Sequence, residues 1–327
     1  MEHRELGGTG RTVSRMGIGL AALGRPAYIN LGHADDLDGD HDVDAMRRGT
    51  AEVLDAAWDA GITYVDVARS YGRAEEFLAS WLDGRDSDER PVIGSKWGYA
   101  YTGGWRLDAD THEVKDHSPA MFERQLAETH ALLGPAVDLY QVHSVTPDSG
   151  ALDDPDLLDA LARLRDAGTA VGASLSGPRQ ADALARVLAV ERAGVRLFST
   201  VQATWNVLEP SAGAMLRTAH EEGVGVIVKE AVANGRLTPR GHEEAVRGVL
   251  DPIAARHGVT VDAVALAAIL AQPWVDVVLS GAATVEHLRA NLCAFDVSLS
   301  EGERDAMEGL SEQAGAYWDH RGELPWA

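Results

Sequence analysis

Four side chains suited to acid–base chemistry stand at or just after the ends of short apolar runs. Asp66, Lys96 and His143 each come at the close of such a run, and Tyr71 follows shortly after Asp66. A free tyrosine titrates near ~10 and is a poor acid at neutral pH. An ammonium within hydrogen-bond reach stabilises the phenolate and lowers the tyrosine pKa, and a carboxylate beside the lysine keeps the lysine charged. The four residue types together therefore suit proton transfer near neutrality.

The same set points to chemistry at a carbonyl group. A neutral imidazole at His143 can donate a hydrogen bond to a carbonyl oxygen, while Tyr71 protonates that oxygen. Hydride must then reach the carbon, and because no side chain can supply hydride, a nicotinamide cofactor is required. The sole cysteine, Cys293, is far from this set along the chain, and no cluster has the spacing of a zinc site. We expect no bound metal, and hydrolysis is the less favoured reaction.

Eight apolar runs alternate with helix-length amphipathic stretches, and this alternation predicts the fold. Apolar strands alternating with helices indicate a parallel sheet covered on both faces. Eight such units in 327 residues indicate an α/β fold, a closed (β/α)8 TIM barrel. The runs cover residues 14–20, 62–67, 91–96, 136–143, 169–176, 197–205, 224–230 and 274–281. The C-terminal ends of such strands face one mouth, which brings the four side chains together, although a lone lysine or histidine is more often a surface or structural residue.

The helices predicted between these runs are amphipathic, and three of them begin with proline, which suits the first turn of a helix. They are Arg47–Ala60, Pro119–Leu133, Pro155–Ala167, Gln180–Glu191, Pro210–Glu222 and Val261–Ala271. The N-terminal stretch RELGGTGRTVSR contains Gly-Thr-Gly and predicts a small β-hairpin outside the barrel. We expect residues 1–327 to form a single domain with long loops at the C-terminal face of the barrel.

A doubly wound dinucleotide-binding sheet is the alternative fold. Its fingerprint needs G-x-G-x-x-G directly after a strand and at the start of a helix. Gly17, Gly19 and Gly24 offer a partial match, but the third glycine comes two positions too late. An acidic stretch follows instead of a helix, so the sequence favours the barrel.

The chain is strongly acidic, with 29 Lys and Arg against 51 Asp and Glu and a net charge of −22. A field of this sign repels the phosphates of nucleic acid and gives no attraction to an anionic membrane surface. No run of about 18 apolar residues suggests a membrane span, and the polar N-terminus carries no visible secretory signal. With a single cysteine, a reducing, cytoplasmic location is expected.

The densest acidic stretch, residues 33–44, has aspartates at spacings that invite comparison with a calcium loop. The EF-hand template requires glycine at position 6 and glutamate at position 12. Counting from Asp36 places Arg47 at position 12, and counting from Asp38 places Gly49 there. We therefore expect a solvated acidic loop and not a metal site.

Taken as whole motifs, the sequence resembles the aldo-keto reductase family. The matching segments run through nearly the whole chain and include LGGTGRTVSRMGIGLAALG, YVDVARSYGRAEEFL, IGSKWG and VDLYQVHS, in the order and spacing of the family. The resemblance implies that Tyr71 is the proton donor and that Lys96 and Asp66 tune it. It also implies that His143 orients the carbonyl group.

The resemblance further implies a nicotinamide cofactor site, with departures from the family pattern. Ser174 matches a residue that holds the carboxamide, but Leu175 stands where the family has asparagine and Lys229 where it often has a stacking tyrosine. The residues assigned to cofactor binding are Gly19, Asp66, Ser174, Gln202, Lys229, Gly235, Ser280, Gly281 and Asn291.

The segment expected to hold the adenosine end departs further. Asn291 matches a residue that contacts adenine, while Gly281 stands where many members carry lysine and His287 where they carry arginine. Recognition of a 2′-phosphate normally needs Arg or Lys, and Arg289 is one candidate replacement. Family habit favours NADP(H), and NAD(H) stays open.

The substrate is expected to contact Tyr71, Trp97 and His143. Further aromatic residues lie in the third loop and the C-terminal tail: Tyr99, Tyr101, Trp105, Tyr317, Trp318 and Trp326. Aromatic walls with few charges suit a neutral carbonyl compound or a sugar, and packing of the loops onto the barrel explains the same residues equally well. The favoured function is NAD(P)H-dependent, reversible reduction of an aldehyde or ketone. The alternatives are an NAD-dependent sugar 1-dehydrogenase and a cofactor-binding barrel with little turnover, and no oligomeric state is predicted.

Overall fold

A closed barrel of eight parallel strands forms the centre of the structure, as the sequence predicts. The computed structural model describes residues 1–36, 41–85 and 89–326. The barrel strands are β3 Met16–Gly19, β4 Tyr64–Asp66, β5 Val92–Trp97, β8 Val137–Val145, β9 Ala170–Leu175, β12 Thr200–Thr204, β13 Gly225–Lys229 and β14 Val277–Ser280. Around the barrel they follow the order β12, β13, β14, β3, β4, β5, β8, β9. Each predicted apolar run overlaps one of these strands, and β5 and β8 extend one and two residues beyond their runs.

The predicted N-terminal hairpin is present and closes the bottom of the barrel. Strands β1 His3–Glu5 and β2 Thr12–Ser14 pair antiparallel around a short 3-10 turn. Leu6 and Val13 are fully buried in one apolar cluster with side chains from the barrel interior. At Gly7, where φ is 50°, an added Cβ would lie 2.1 Å from the Gly225 nitrogen. The hairpin therefore seals the end of the barrel opposite the strand C-termini.

Two further small ribbons lie outside the barrel. Strands β6 Tyr99–Tyr101 and β7 Glu113–Lys115 pair antiparallel in the loop that follows β5. Strands β10 Glu191–Arg192 and β11 Val195–Arg196 form a second, shorter pair. The β6–β7 ribbon carries Tyr99 and Glu113 to the mouth of the barrel, where both line the central cavity.

Helices surround the barrel and cover its outer apolar face. They are α1 His33–Asp36, α2 Val43–Asp59, α3 Ala74–Leu82, α4 Pro119–Leu133, α5 Pro155–Asp166, α6 Gln180–Leu188, α7 Gly213–Glu221, α8 Glu244–His257, α9 Val261–Leu270, α10 Val285–Leu292, α11 Glu301–Glu308 and α12 Ala314–Glu323. Among the described residues no single helix is both long and apolar enough to cross a membrane. Only α8 and α9 taken together, across a bend of 88°, meet that test by length and composition.

Proline begins two of the three helices where the sequence predicts it. Pro119 and Pro155 occupy the first turns of α4 and α5, behind the capping side chains of Ser118 and Asp154. The third prediction is wrong, because α7 begins at Gly213 and not at residue 210. There the Asn206 side chain accepts hydrogen bonds from the next backbone amides and holds a turn that delays the helix.

The acidic stretch 33–44 is only partly the solvated loop that the sequence predicts. Residues 37–40 lie outside the described residues. Asp36 is not solvated: its side chain is 4% exposed and pairs with the Arg240 guanidinium. The His33 side chain is fully buried. No group of three or more His, Cys, Asp or Glu that could hold a metal occurs within the described ranges.

Candidate active site

Asp66 and Lys96 form a buried ion pair at the C-terminal ends of two adjacent strands. Asp66 pairs in register with Gly94, so Lys96 reaches back from two positions farther along β5. Lys96 Nζ donates to the Asp66 carboxylate and, at 3.0 Å, to the Val67 carbonyl. Burial lowers the pKa of Lys96, and the carboxylate of Asp66 opposes that shift. The pair places an ammonium and its counter-charge side by side inside the barrel mouth.

Asp66 is also the acceptor for other barrel side chains. Gln202 Nε2 donates to it at 2.7 Å, and Gln141 Nε2 and the Tyr64 hydroxyl lie at 3.5 Å. These donors come from β12, β8 and β4, so one carboxylate joins distant strands of the barrel. The carboxylate is 3% exposed, and such a buried charge persists only when it is paired and hydrogen-bonded in this way.

Tyr71 stands on the turn that follows β4, close to this ion pair. Its ring centroid is 4.8 Å from Lys96 Nζ and 5.6 Å from the His143 ring, which it meets edge to face. Within the described residues no side chain or backbone group hydrogen-bonds to the Tyr71 hydroxyl. The Tyr71 hydroxyl is therefore available to a ligand in the cavity that Tyr71 lines.

The pKa of Tyr71 differs from the sequence-based expectation. Burial raises the pKa of this phenol well above its usual value, the Asp66 charge raises it further, and Arg25 lowers it. The expected net fall in the pKa of Tyr71 is not found, because burial and the charge of Asp66 outweigh the nearby Lys96 ammonium. Tyr71 is accordingly a fully protonated phenol at neutral pH.

His143 is a buried neutral imidazole facing Tyr71. Burial lowers its pKa well below the usual value, and the charge of Lys96 lowers it further. Its ring also packs edge to face on Tyr99, with centroids 5.1 Å apart. Its Nδ1 atom has no hydrogen-bond partner among the described residues. A neutral ring in this position can donate one hydrogen bond to a ligand oxygen.

Tyr71 and His143 line a cavity of about 440 Å³ at the barrel mouth. Gln202 and Lys229 line the same end, which we call the reaction end. The cavity continues along β14 and α10 to a second end, the distal end, lined by Asp36, Arg240, Glu286, His287 and Asn291. Gly19, Gly235, Ser280 and Gly281 line it as well.

Three residues assigned from the sequence, Lys96, Trp97 and Ser174, do not line this cavity, and Lys96 reaches it only through its contact with Asp66. Trp97 is fully buried and packs on Phe122 and His117, with ring centroids 5.1 and 5.9 Å away. Successive residues of a strand point to opposite faces, so Trp97 points away from the barrel interior that Lys96 enters. Ser174 is fully buried beside its register partner Gln202.

Comparison with known proteins agrees with this architecture. The family model described as "Aldo/keto reductase family" matches residues 29–312. The chain belongs to the aldo/keto reductase family. Its members are oxidoreductases that use a nicotinamide cofactor to reduce carbonyl groups of small molecules.

Individual aldo/keto reductases match over nearly their whole length. Pyridoxal 4-dehydrogenase of Microbacterium luteolum is 28% identical, over 92% of this chain and 94% of that protein. The NADH-specific methylglyoxal reductase of Escherichia coli is 26% identical, over 95% of this chain and 99% of that protein. The solved holo form of aldo-keto reductase AKR11C1 from Bacillus halodurans shares the fold with a TM-score of 0.71 at 23% identity, over 96% of this chain and 97% of that one.

The polar groups of this aldo/keto reductase fit a nicotinamide dinucleotide. Gln202 lines the cavity, and its Oε1 atom is buried without a hydrogen-bond partner within the described residues; Ser174 Oγ, on the adjacent strand but outside the cavity lining, also has none. A buried polar atom normally has a partner, and the carboxamide of a nicotinamide offers both a donor and an acceptor. At the distal end, Asn291 Nδ2 donates to Ser280 Oγ at 2.8 Å, which fixes both side chains beside the cavity.

Arg25 is a site residue of this aldo/keto reductase that the sequence analysis missed. Its guanidinium is buried, pairs with Glu113 at 2.9 Å and lies 5.4 Å from the Tyr71 ring centroid. It also stacks on the Trp326 ring of the C-terminal tail at 5.0 Å. A signal was present in the sequence, because Arg25 is the only arginine or lysine in a long apolar stretch that follows the first strand.

Two further residues that the sequence analysis missed, Glu230 and Arg321, form a group with the assigned Lys229. Arg321 Nε lies 3.0 and 3.1 Å from the two Glu230 carboxylate oxygens, and Lys229 Nζ lies 3.8 Å from one of them. The Thr204 hydroxyl donates to Glu230 at 2.9 Å and accepts from Lys229 at 3.1 Å. These contacts bring α12 of the C-terminal tail against the mouth of the barrel.

Left-handed backbone conformations directly follow two of the cavity-lining residues. Ser144, after His143, and Glu230, after Lys229, each have φ of 53°. This region costs non-glycine residues free energy and persists only where surrounding contacts enforce it. The sharp change of direction lets His143 and Lys229 face the cavity while the chain turns outward.

Proposed function

We propose that the protein catalyses reversible, nicotinamide-dependent reduction of a small aldehyde or ketone with Tyr71 as proton donor. The observation that carries the proposal is the free hydroxyl of Tyr71, positioned between the His143 ring and the Lys96–Asp66 pair. These groups meet at one end of a cavity whose other polar groups fit the cofactor.

Each side chain has a distinct part in the proposed reaction. The neutral His143 ring donates a hydrogen bond to the carbonyl oxygen and orients it. A bound nicotinamide supplies the hydride. Tyr71, protonated at neutral pH, donates its proton to the oxygen as negative charge develops there, and Lys96 stabilises the resulting phenolate. Asp66 holds Lys96 charged and in place.

The charges at the distal end support NAD(H) as the cofactor, although the sequence alone favours NADP(H). Arg240 places two guanidinium nitrogens on the Asp36 carboxylate, and His287 Nε2 lies 3.6 Å from it. The Arg240 and His287 side chains both lie against Asp36, and Arg289 is exposed and does not line the cavity. A carboxylate here can accept a hydrogen bond from a ribose hydroxyl but repels a 2′-phosphate.

Replacing Asp36 with asparagine is expected to shift cofactor preference toward NADPH. The change removes the repelling charge and releases Arg240 for a phosphate, so the ratio of the NADPH to the NADH dissociation constant should fall by about tenfold or more. Quenching of tryptophan fluorescence during titration measures both constants. Asp35→Asn, an exposed neighbour outside the cavity, is the control. A wild type that binds NADPH more tightly, unchanged by Asp36→Asn, would contradict the NAD(H) proposal.

The substrate proposal is a small carbonyl compound held between aromatic side chains. Tyr28, Tyr99 and Trp326 line the cavity beside Tyr71, and aromatic walls suit neutral, planar or sugar-like ligands. Two relatives carry the names pyridoxal 4-dehydrogenase and methylglyoxal reductase, and both names denote small aldehydes. The Asp36 carboxylate also favours the second candidate, NAD-dependent oxidation of a sugar at its first carbon.

A turnover assay separates these candidates. Aldehydes and ketones are offered with NADH or NADPH, and aldoses with NAD⁺ or NADP⁺, while the absorbance of the reduced nicotinamide is followed. Turnover of aldehydes or ketones supports the reductase, and turnover of aldoses alone supports the sugar dehydrogenase. If the protein binds cofactor tightly but turns over no compound in the panel, the result would support the third alternative, a cofactor-binding barrel with little turnover, and contradict the catalytic proposal.

A further inference from the structure

Lys229 occupies a position at the reaction end that the proposed proton transfer does not use. It is the last residue of β13, in register with Thr204 at the end of β12. Its side chain is 15% exposed and lines the cavity together with Tyr71 and His143. Because little water surrounds a cation at this position, the effective dielectric is low, and the cation interacts strongly with any charged group that enters the cavity.

The reaction end carries one positive charge in excess among the residues that the structure describes. Lys96 is matched by Asp66, and Arg25 by Glu113. The remaining cations are Lys229 and Arg321, which share the single carboxylate of Glu230.

Arg321 binds the Glu230 carboxylate directly through both of its oxygens, whereas Lys229 Nζ lies 3.8 Å from it. The nearest hydrogen-bond partner of Lys229 is the neutral Thr204 hydroxyl, at 3.1 Å. Lys229 is therefore the cation without a full counter-charge of its own.

The charge of a nicotinamide ring depends on its redox state. The reduced ring is neutral and the oxidised ring is a cation, so a nearby fixed cation repels only the oxidised form. The ring must approach the carbonyl held by Tyr71 and His143 in order to deliver hydride, and Lys229 lines that same end of the cavity. We propose that Lys229 makes the protein bind the reduced nicotinamide cofactor more tightly than the oxidised one.

This inference rests on the proposed function, because it requires a nicotinamide in the cavity. A preference for the reduced form raises the reduction potential of the bound cofactor, and each tenfold preference corresponds to about 30 mV for a two-electron couple. It also weakens retention of the oxidised cofactor after a carbonyl has been reduced. Lys229 thus acts on cofactor exchange, which limits turnover in many enzymes.

The direct test compares dissociation constants for NADH and NAD⁺ without substrate, measured by tryptophan fluorescence or calorimetry. The quantity of interest is the NAD⁺ constant divided by the NADH constant. We expect this ratio at pH 7 to fall by about tenfold in Lys229→Met and to stay near the wild-type value in Lys229→Arg, which keeps the charge. Thermal unfolding of each variant establishes that it is folded.

The pH dependence gives a second readout. The pKa of Lys229 is lowered to about 8, first by burial and then by Arg321 and Lys96, against the charge of Glu230. The wild-type ratio should therefore decline as pH rises from 7 to 9 and Lys229 loses its proton. Lys229→Arg should show no decline over this range.

The other groups that face Lys229 do not explain such a change. The pKa of Glu230 is lowered to about 2 by Arg321 and Lys229 against its burial, and that of Arg321 is raised by Glu230 against its own burial. Burial keeps His143 neutral. The Lys96–Asp66 pair is present in every variant, so any contribution from it appears equally in Lys229→Met.

The outcomes are distinguishable from those that test the proposed function. If wild type binds neither NADH nor NAD⁺, nor their phosphorylated forms, then both the inference and the proposed cofactor are overturned. If the cofactors bind but Lys229→Met keeps the wild-type ratio, only the inference is overturned. The inference is also overturned if Lys229→Arg behaves like Lys229→Met, because the effect would then not come from charge.

Discussion

Tyr71→Phe is expected to lower kcat for carbonyl reduction by about 10²–10⁴-fold, the usual contribution of a positioned general acid. The substitution removes one hydroxyl and leaves the ring that packs on His143 and over Lys96. Because that hydroxyl has no hydrogen-bond partner among the described residues, its loss leaves no other protein group unpaired. The dissociation constant of the reduced cofactor should therefore stay within about twofold of wild type, since no charge changes.

The matched control for this variant is Tyr101→Phe. Tyr101 lies on the same rim, on β6, and its hydroxyl accepts a hydrogen bond from the Trp105 amide at 3.1 Å, outside the cavity. Steady-state turnover and fluorescence titration on the two variants separate catalysis from general effects of removing a phenol. Wild-type turnover in Tyr71→Phe would show that another group donates the proton.

The barrel and its four central side chains could be predicted because they depend on local patterns. A strand covered on both faces is apolar along its whole length, so each barrel strand is visible as a short apolar run. The polar residue that closes such a run must lie at the mouth, because every strand of a parallel barrel ends there. Asp66, Lys96 and His143 follow from these two facts without any long-range information.

The contacts that complete the site could not be predicted in this way. Arg240 and Asp36 are 204 residues apart in the chain, and Arg321 and Glu230 are 91 apart. Each partner lies on a loop or a terminal helix, where no periodic pattern links the two. Their pairing is decided by which loops meet above the barrel mouth, and that is a property of the folded chain.

Two expectations differ from the structure because residue type alone fixes neither the direction of a side chain nor its burial. Trp97 was expected at the substrate as one of the aromatic residues of the third loop, yet neighbouring residues of a strand face opposite sides, and Trp97 packs on Phe122 outside the barrel. The tyrosine pKa was expected to fall because lysine is nearby. In the structure burial, followed by the charge of Asp66, dominates the pKa of Tyr71 and raises it.

Asp66→Ala is expected to abolish measurable turnover and to lower the free energy of unfolding by about 3–5 kcal/mol, the cost of leaving a buried charge without its partner. Without Asp66, the Lys96 amine would keep only its contacts with the Val67 carbonyl and the face of the Tyr71 ring. Because these contacts do not compensate for a buried positive charge, Lys96 would be stable only as the neutral amine. The phenolate of Tyr71 would lose its stabilising charge. Gln202 would also lose its acceptor.

The loss of stability and the loss of turnover in Asp66→Ala can be separated with Asp138→Ala. Asp138 is a buried carboxylate at the start of β8, where it accepts from Arg90 at 2.7 and 3.1 Å and from the Ile93 amide at 2.9 Å. This is the opposite end of the barrel from Tyr71. Urea unfolding should therefore show comparable destabilisation in both variants, while only Asp66→Ala loses turnover at temperatures where both are folded. Equal loss of turnover would mean that Asp66 acts through stability alone, and that the charge of Lys96 has no part in proton transfer.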